Sequence, residues 1–501
     1  MSHGSNLNGG SKNHLPPPPP PPPPLPRTPA GREAHVTFKT AEGVELRGVL
    51  SRMTHHSATF ELYSPKTVLS VSEVLTNFSI NYQGQINYFG RAVIRSLVDA
   101  GAKEIGEVTL DETNWINVEA GLLARNDGHI AAEFRQFLGE WQKTYLVSPE
   151  FKVVVADMQT FLHDLQLWLD QVEINLRRVP PEQRQNLEKN VIADLAKPII
   201  LSIDTLIDRF ESIVTPLPKE SHPAYQAYLR RQWHPLMLTS PFGNRAYYKP
   251  LGYAGDYQMV DMMIRPPGEG DNLFAKMINI WLVGQTPAEA HRNRVAYLER
   301  KLLEEARRAK TRNRKLRVFN LGCGPAGEIQ SFASMPDLSL PVDFCLVDFN
   351  VETLEFIKRK LEAKASINRS LSFHTLRKSV NQILKDGARS SPSLGGKYEY
   401  IYCAGLFDYL ADPVCKQLMT IFYEMLEPGG LIVATNASDA VNALRPFRYS
   451  MEYILDWYLI YRNRKQFLQV VPDQAGEDEV SVTADATGAN LFLEVRKPEN
   501  V

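Results

Sequence analysis

Apolar and polar positions change rhythm four times along this 501-residue chain. Residues 1–32 have no apolar period. A Ser/Gly/Asn-rich start runs into unbroken proline from Pro16 to Pro24. Such a segment cannot bury a core and is expected to be a disordered tail. From 33 to about 125, runs such as AHVTFKT, ATFELYS and EIGEVTL alternate apolar with polar residues. They are rich in β-branched and aromatic side chains and are punctuated by turn residues. A period of two predicts a small antiparallel β-barrel here.

From about 130 to 215 the period lengthens. FRQFLGEWQKTY, FKVVVADMQTFLHDLQLWLDQVEINL and NVIADLAKPIILSIDTLIDRFESIV carry apolar residues three and four apart. They predict long amphipathic helices, serving as a linker or as a homodimer contact. Residues 221–300 open with a segment rich in aromatics, Pro and Gly that shows no clear period. It is expected to be irregular and functional, so 130–300 as a whole reads as a helical linker with a substrate lid. From 301 to 501, RVFNLGCG, DFCLVDF, LSFHTL, EYIYCAG and GLIVATN read as buried strands. Helical runs begin near Glu328, Val351, Ser379 and Asp412. This predicts a doubly wound α/β sheet, closed by two strands around the turn in EVSVTADATGANLFLEVRKP. The expected fold is multidomain: barrel, α-helical middle region, α/β sheet.

Composition narrows the function. The 56 basic and 57 acidic residues give a net charge of -1, too balanced a field for nucleic acid. Cys323, Cys345, Cys403 and Cys415 form no C-x-x-C pair, so no metal is expected. No apolar run reaches membrane-spanning length, and the start lacks a signal-peptide core. A cytoplasmic protein is expected.

The chemistry concentrates in NLGCGPAGE, Asn320 to Glu328. Gly322, Gly324 and Gly327 spell G-x-G-x-x-G after a strand, which suits a nicotinamide cofactor as well as S-adenosylmethionine (SAM). Pro325 fits a first helical turn. Glu328 stands where a pyrophosphate would sit on the helix N-terminus, and its charge opposes a phosphate. SAM carries an ammonium and a sulfonium instead. Asp348 ends the second strand, placed to accept the ribose hydroxyls. No acidic residue follows the third strand, so Ser379 is the candidate for the adenine contact, with Val380 against the ring. Ala404, Gly405 and Leu406 follow the fourth strand and allow close approach of the methionine end. Asp408 is either part of that site or a surface residue leading a helix. Asn320, Cys323 and Gly324 complete the expected cofactor set.

Three resemblances add to this. Residues 33–125 resemble a PilZ-like barrel, a bacterial module that often binds cyclic di-GMP. The motif R-x-x-x-R is absent, since Arg47 and Arg52 are five apart, so a structural barrel is expected. The closing strands resemble the terminal antiparallel hairpin of class I methyltransferases. Finally, NRAYYKPLGYAGDYQMVDMM (Asn244 to Met263) and RPFRYSMEYILDWYLIYR (Arg445 to Arg462), with the glycine loop, resemble bacterial methyltransferases of 3-hydroxypalmitic acid methyl ester biosynthesis. Those proteins make an extracellular quorum signal.

The last resemblance implies methyl transfer from SAM to a fatty-acid carboxylate or a similar acidic metabolite. Within it, Tyr253, Asp256 and Tyr257 are the expected catalytic residues, Asp256 reaching the cofactor's ammonium. Arg245 or Lys249 is expected to hold the carboxylate, with Tyr248 in the lid. Asn436, Glu452 and Trp457 are further expected substrate contacts, the last two on a helix that also carries Asp456 and Tyr458. His222 and His234 precede prolines and read as structural. The rivals are methylation of another metabolite or a protein side chain, and a non-catalytic SAM-binding or PilZ-like signalling protein.

Overall fold

The computed structural model describes residues 34–499, apart from 42, 64–68, 83–84, 100–102, 117–130, 133, 140–146, 336–340, 366–369, 388–395 and 440–444. The proline-rich tail and the second half of FRQFLGEWQKTY lie outside the described residues.

Strands β1 (His35–Lys39), β2 (Glu45–Met53), β3 (Ser57–Tyr63), β4 (Val74–Tyr82), β5 (Gln85–Asp99) and β6 (Lys103–Leu110) close into an antiparallel barrel in the order β1-β2-β3-β6-β5-β4. The period of two puts Val36 and Phe38 of β1 and Ala58, Phe60 and Leu62 of β3 inside. Phe38, Phe60 and Phe78 form its centre, with ring centroids 5.2 to 6.0 Å apart. Gly106 is bare because a Cβ there would stand 2.8 Å from the Phe60 ring.

The helical layer begins with α1 (Pro149–Arg177) and α2 (Pro181–Val214). Ser148 caps α1 by accepting from the Phe151 amide. The two helices bury one stripe each, including Phe151, Val155 and Leu162 on α1 and Ile203, Ile207 and Phe210 on α2. The segment expected to be irregular is largely helical: α3 (His222–Met237), α4 (Pro241–Tyr248), α5 (Tyr257–Ile264), α6 (Leu273–Val283) and α7 (Thr286–Thr311). Two causes hid these helices. Prolines stand in the first turns of α3, α4 and α7, where they start a helix rather than break it. And α6 buries nine of its eleven residues, so no amphipathic stripe marks it.

The remaining elements are β7 (Leu316–Leu321), α8 (Gly327–Phe332), β8 (Val342–Asp348), α9 (Val351–Ala365), β9 (Leu371–Arg377), α10 (Val380–Gly387), β10 (Tyr398–Cys403), α11 (Asp412–Met425), β11 (Leu426–Ala437), α12 (Arg448–Ile454), α13 (Arg464–Leu468), β12 (Val480–Ala484) and β13 (Asn490–Arg496). They build one sheet of order β12-β13-β11-β10-β7-β8-β9. Strands β7 to β11 run parallel, and β13 pairs antiparallel with both β11 and β12. The strand order reverses between β7 and β10. At such a switch point the crevice beyond the strands' C-terminal ends is the natural ligand site in an open α/β sheet.

Helix α7 joins the layers. Its Ala288 packs in the helical core, and its Leu298, Leu302 and Ala306 pack on Val318 and Tyr400 of the sheet. It runs straight through residue 300, where sequence placed a boundary. Helix α12 locks the other side: the buried Glu211 of α2 accepts from the Ser450 amide and hydroxyl at 2.7 Å. His222 Nδ1 meets Tyr453 Oη at 2.7 Å and His234 Nε2 meets the Ile454 carbonyl at 3.0 Å. Both histidines are thus structural braces here. The barrel touches α4, where Asn244 Nδ2 donates to the Tyr63 carbonyl at 2.9 Å and Arg47 lies over the Tyr248 ring. No described helix is long and apolar enough to cross a membrane.

Candidate active site

The site starts where β7 ends. Gly322 and Gly324 take positive φ of 70° and 52°, conformations that cost a side-chain-bearing residue energy. The amides of Gly322 and Cys323 donate to the Val347 carbonyl at 2.8 and 3.1 Å, pinning the loop to β8. Helix α8 begins at Gly327, two residues later than Pro325 suggests, after a left-handed Ala326.

Asp348, at the end of β8, accepts from the Gly324 amide at 3.3 Å and the Asn350 amide at 3.0 Å. Asn350 in turn caps α9 by accepting from the Thr353 amide at 3.0 Å. Glu328 turns beneath the loop, where its Oε1 accepts from Tyr402 Oη at 2.7 Å and from Asn320 Nδ2 at 3.5 Å. Asp408 follows β10 and accepts from the Ala437 amide at 2.6 Å. All three carboxyls are buried, and burial raises each pKa, that of Asp408 to about 6. Asp408 is therefore buried beside the cleft and not a surface residue.

These groups border one cavity of about 720 Å³, within the usual range for a small-molecule site. One end is walled by Asn320 to Glu328, Asp348, Ser379, Val380 and Ala404 to Leu406. The other end is walled by apolar side chains of the helical layer, among them Met263, Leu282, Phe447, Met451 and Leu455. Tyr253, Tyr257 and Trp457 line it as well. Trp457 Nε1 donates to Tyr409 Oη at 2.8 Å, and that hydroxyl donates to the Ala254 carbonyl at 3.3 Å. The chain of bonds braces the GYAG turn over the cleft. Gly255 sits there with a positive φ of 73°, and a Cβ on it would meet Trp457 and Tyr409 at 2.9 Å.

Several expected site residues do not wall the cavity, and each of them is engaged by other groups. Asp256 caps α5 through the Gln258 and Met259 amides and pairs with Arg245 at 2.9 Å. Lys249 pairs with Asp456 at 2.8 Å. Tyr248 faces the barrel. Glu452 pairs with Arg448 at 2.8 Å. Asn436 is fully buried; it donates to the Ala437 and Ile460 carbonyls and accepts from Arg462. Helix α12 stops at Ile454, so Asp456, Trp457 and Tyr458 lie beyond it. Asp456 is left-handed and also pairs with Arg230 at 2.8 Å.

Sequence also missed residues the fold brings to the cleft. His291 and Arg294 come from α7, Tyr461 from the segment after α12, and Asn490 from β13. Asn320 Oδ1, His291 Nε2, Tyr461 Oη and Asn490 Nδ2 are buried with no hydrogen-bond partner among the described residues. Buried polar atoms left unsatisfied are costly, so four of them among the residues lining one cavity mark it as a place for a ligand. Among the described residues no group of three or more His, Cys, Asp or Glu is placed to hold a metal.

The chain matches no family model and no curated protein. Among solved structures it is similar to a possible exported protein from Bordetella parapertussis, at 17% identity and a TM-score of 0.41, over 64% of this chain and 99% of that one. It is also similar to magnesium protoporphyrin IX methyltransferase from Synechocystis PCC 6803 with bound SAH, at 12% identity and 0.30, over 42% and 84%. A third is TehB from Haemophilus influenzae, at 14% identity and 0.26, over 39% and 61%. All are distant; what the cleft can hold is decided by its own side chains.

Proposed function

We propose that the chain is a SAM-dependent O-methyltransferase that converts the carboxylate of a 3-hydroxy fatty acid, or a similar small acyl substrate, to its methyl ester. The observation that carries this reading is the single cavity joining an acidic glycine loop to an apolar helical chamber. The residues present fit the cofactor. Asp348 stands where ribose hydroxyls can donate to it. Val380 and Ser379 border the space for the adenine. Asn320 Oδ1, buried without a partner among the described residues, suits an ammonium. Bound SAM supplies an electrophilic methyl group on its sulfonium.

The acceptor carboxylate is already ionised at neutral pH, so the protein needs to align it and exclude water rather than move a proton. Tyr253, Tyr257 and the braced GYAG turn cover the cleft for that purpose. Arg245 and Asp256 act at one remove, by fixing the turn's two ends. The apolar chamber suits an acyl chain. The barrel is read as a structural PilZ-like module, since its Arg47 lies against Tyr248. Exposed Leu167, Trp168 and Leu201 on α1 and α2 support a homodimer contact. The four free cysteines suit a reducing cytoplasm.

A second reading is favoured by Asp408. A buried carboxyl raised to about 6 and lining the cleft suits a general base for a hydroxyl or amine acceptor. Incubation with methyl-labelled SAM and a 3-hydroxy fatty acid separates the two. A base-labile labelled ester is expected. Label in a base-stable product or in protein overturns the acyl substrate, as does no transfer to the hydroxy acid despite SAM binding.

A further inference from the structure

We infer that His291 and Arg294 form a carboxylate-binding pair inside the cleft. The two lie three residues apart on α7 and share a face. Arg294 Nη2 donates to His291 Nδ1 at 2.7 Å. An arginine can only donate, so Nδ1 must accept and the ring proton sits on Nε2. That N–H is buried and has no partner among the described residues. Burial, with the nearby Arg294 and Arg292 charges, keeps the ring neutral by holding its pKa well below the usual histidine value.

Arg294 completes the pattern. Other arginines bordering the cleft or bracing its walls are each paired with a carboxylate: Arg230 with Asp456, Arg245 with Asp256, Arg292 with Glu289, Arg445 with Asp204 and Arg448 with Glu452. For Arg294, among the described residues, the one hydrogen bond is to His291, and no carboxylate pairs with it. The nearby acids Glu328 and Asp408 feel the Arg294 charge, but their hydrogen bonds come from Tyr402 and the Ala437 amide. Its guanidinium reaches the loop after β10 because Gly405 has no side chain: a Cβ there would lie 2.8 Å from Nη1. A guanidinium and an imidazole N–H on one helix face, both lacking an acceptor oxygen, are matched by a carboxylate.

Two carboxylates can enter this cleft, the amino-acid end of the methyl donor and the acyl acceptor, and the pair's chemistry is the same for both. The inference rests on the reading that the cleft binds SAM. Calorimetry on wild-type protein, Arg294→Met and His291→Asn tests it, with thermal melts confirming folding. Three probes are used: SAH; 5′-methylthioadenosine, which has the nucleoside and thioether but no amino-acid end; and 3-hydroxydodecanoate added to the SAH complex. Arg294→Met is expected to weaken one carboxylate-bearing probe roughly ten- to hundredfold, with 5′-methylthioadenosine unchanged. Arg294→Lys is expected to recover part of the loss. A loss for SAH assigns the pair to the donor's carboxylate, and a loss for the hydroxy acid alone assigns it to the acceptor's. Unchanged affinity for both acids in both variants overturns the pair. Failure of wild-type protein to bind either adenosine probe overturns the SAM reading itself, and the pair with it.

Discussion

Glu328, Asp348 and Asp408 bring three buried carboxyl groups to one cleft, and burial raises the pKa of each. A carboxyl whose folded pKa exceeds its unfolded value of about 4 holds a proton in the folded state that the unfolded chain has released. The empty protein therefore loses stability as pH rises from about 4 through the value of about 6 for Asp408. SAM carries a net positive charge, which favours the ionised carboxylates. Its binding is expected to release protons, so its affinity rises with pH across that window. Titrations at pH 6 in buffers of different ionisation heat measure the release; proton uptake would contradict it. At this scale the placing of the glycine loop, Glu328 and Asp348 at one cavity was legible because they sit in short contiguous stretches. His291 and Arg294 were not, because nothing in HRNR says which arginine lacks a carboxylate. Asp256 and Asn436 lie off the cavity wall for a related reason: a polar residue beside a site is as readily a cap or brace as a ligand.

Among the elements, the turn between α4 and α5 brings Tyr253, Ala254 and Gly255 to the cleft. Lys249 takes a left-handed conformation at the end of α4, and Gly252 and Gly255 also take positive φ. The Arg245–Asp256 pair ties the two helices together across the turn. Asp256→Ala removes a helix cap and leaves a largely buried guanidinium unpaired. A loss of about 3 to 5 kcal/mol is expected, read as a lower urea midpoint. Pairing it with Arg245→Leu should recover part of that loss, and a single variant as stable as wild type would remove the brace. Strands were easy to read because their period of two or solid apolar runs survive burial. The helices of 222–283 were hard because short helices buried on several sides show no stripe, and their prolines look like breaks.

Across the whole molecule, a closed barrel docks on α4, and a helical layer that includes α12 shares α7 with a seven-stranded sheet. The order of these layers was legible from the changing periods, but the way they meet was not. The contacts that join the layers link residues far apart in the chain, such as Tyr400 packed in one core with Leu302 of α7, and Glu211 of α2 bonded to Ser450 of α12. The cleft is lined from both layers, and its proposed occupant is the central claim. Calorimetric titration of SAM into wild-type protein, Asp348→Ala and Asp348→Asn tests that claim most directly. Stoichiometric binding to wild type is expected, weakened roughly ten- to hundredfold in both variants. No binding to wild type, or equal affinity in all three, would contradict it.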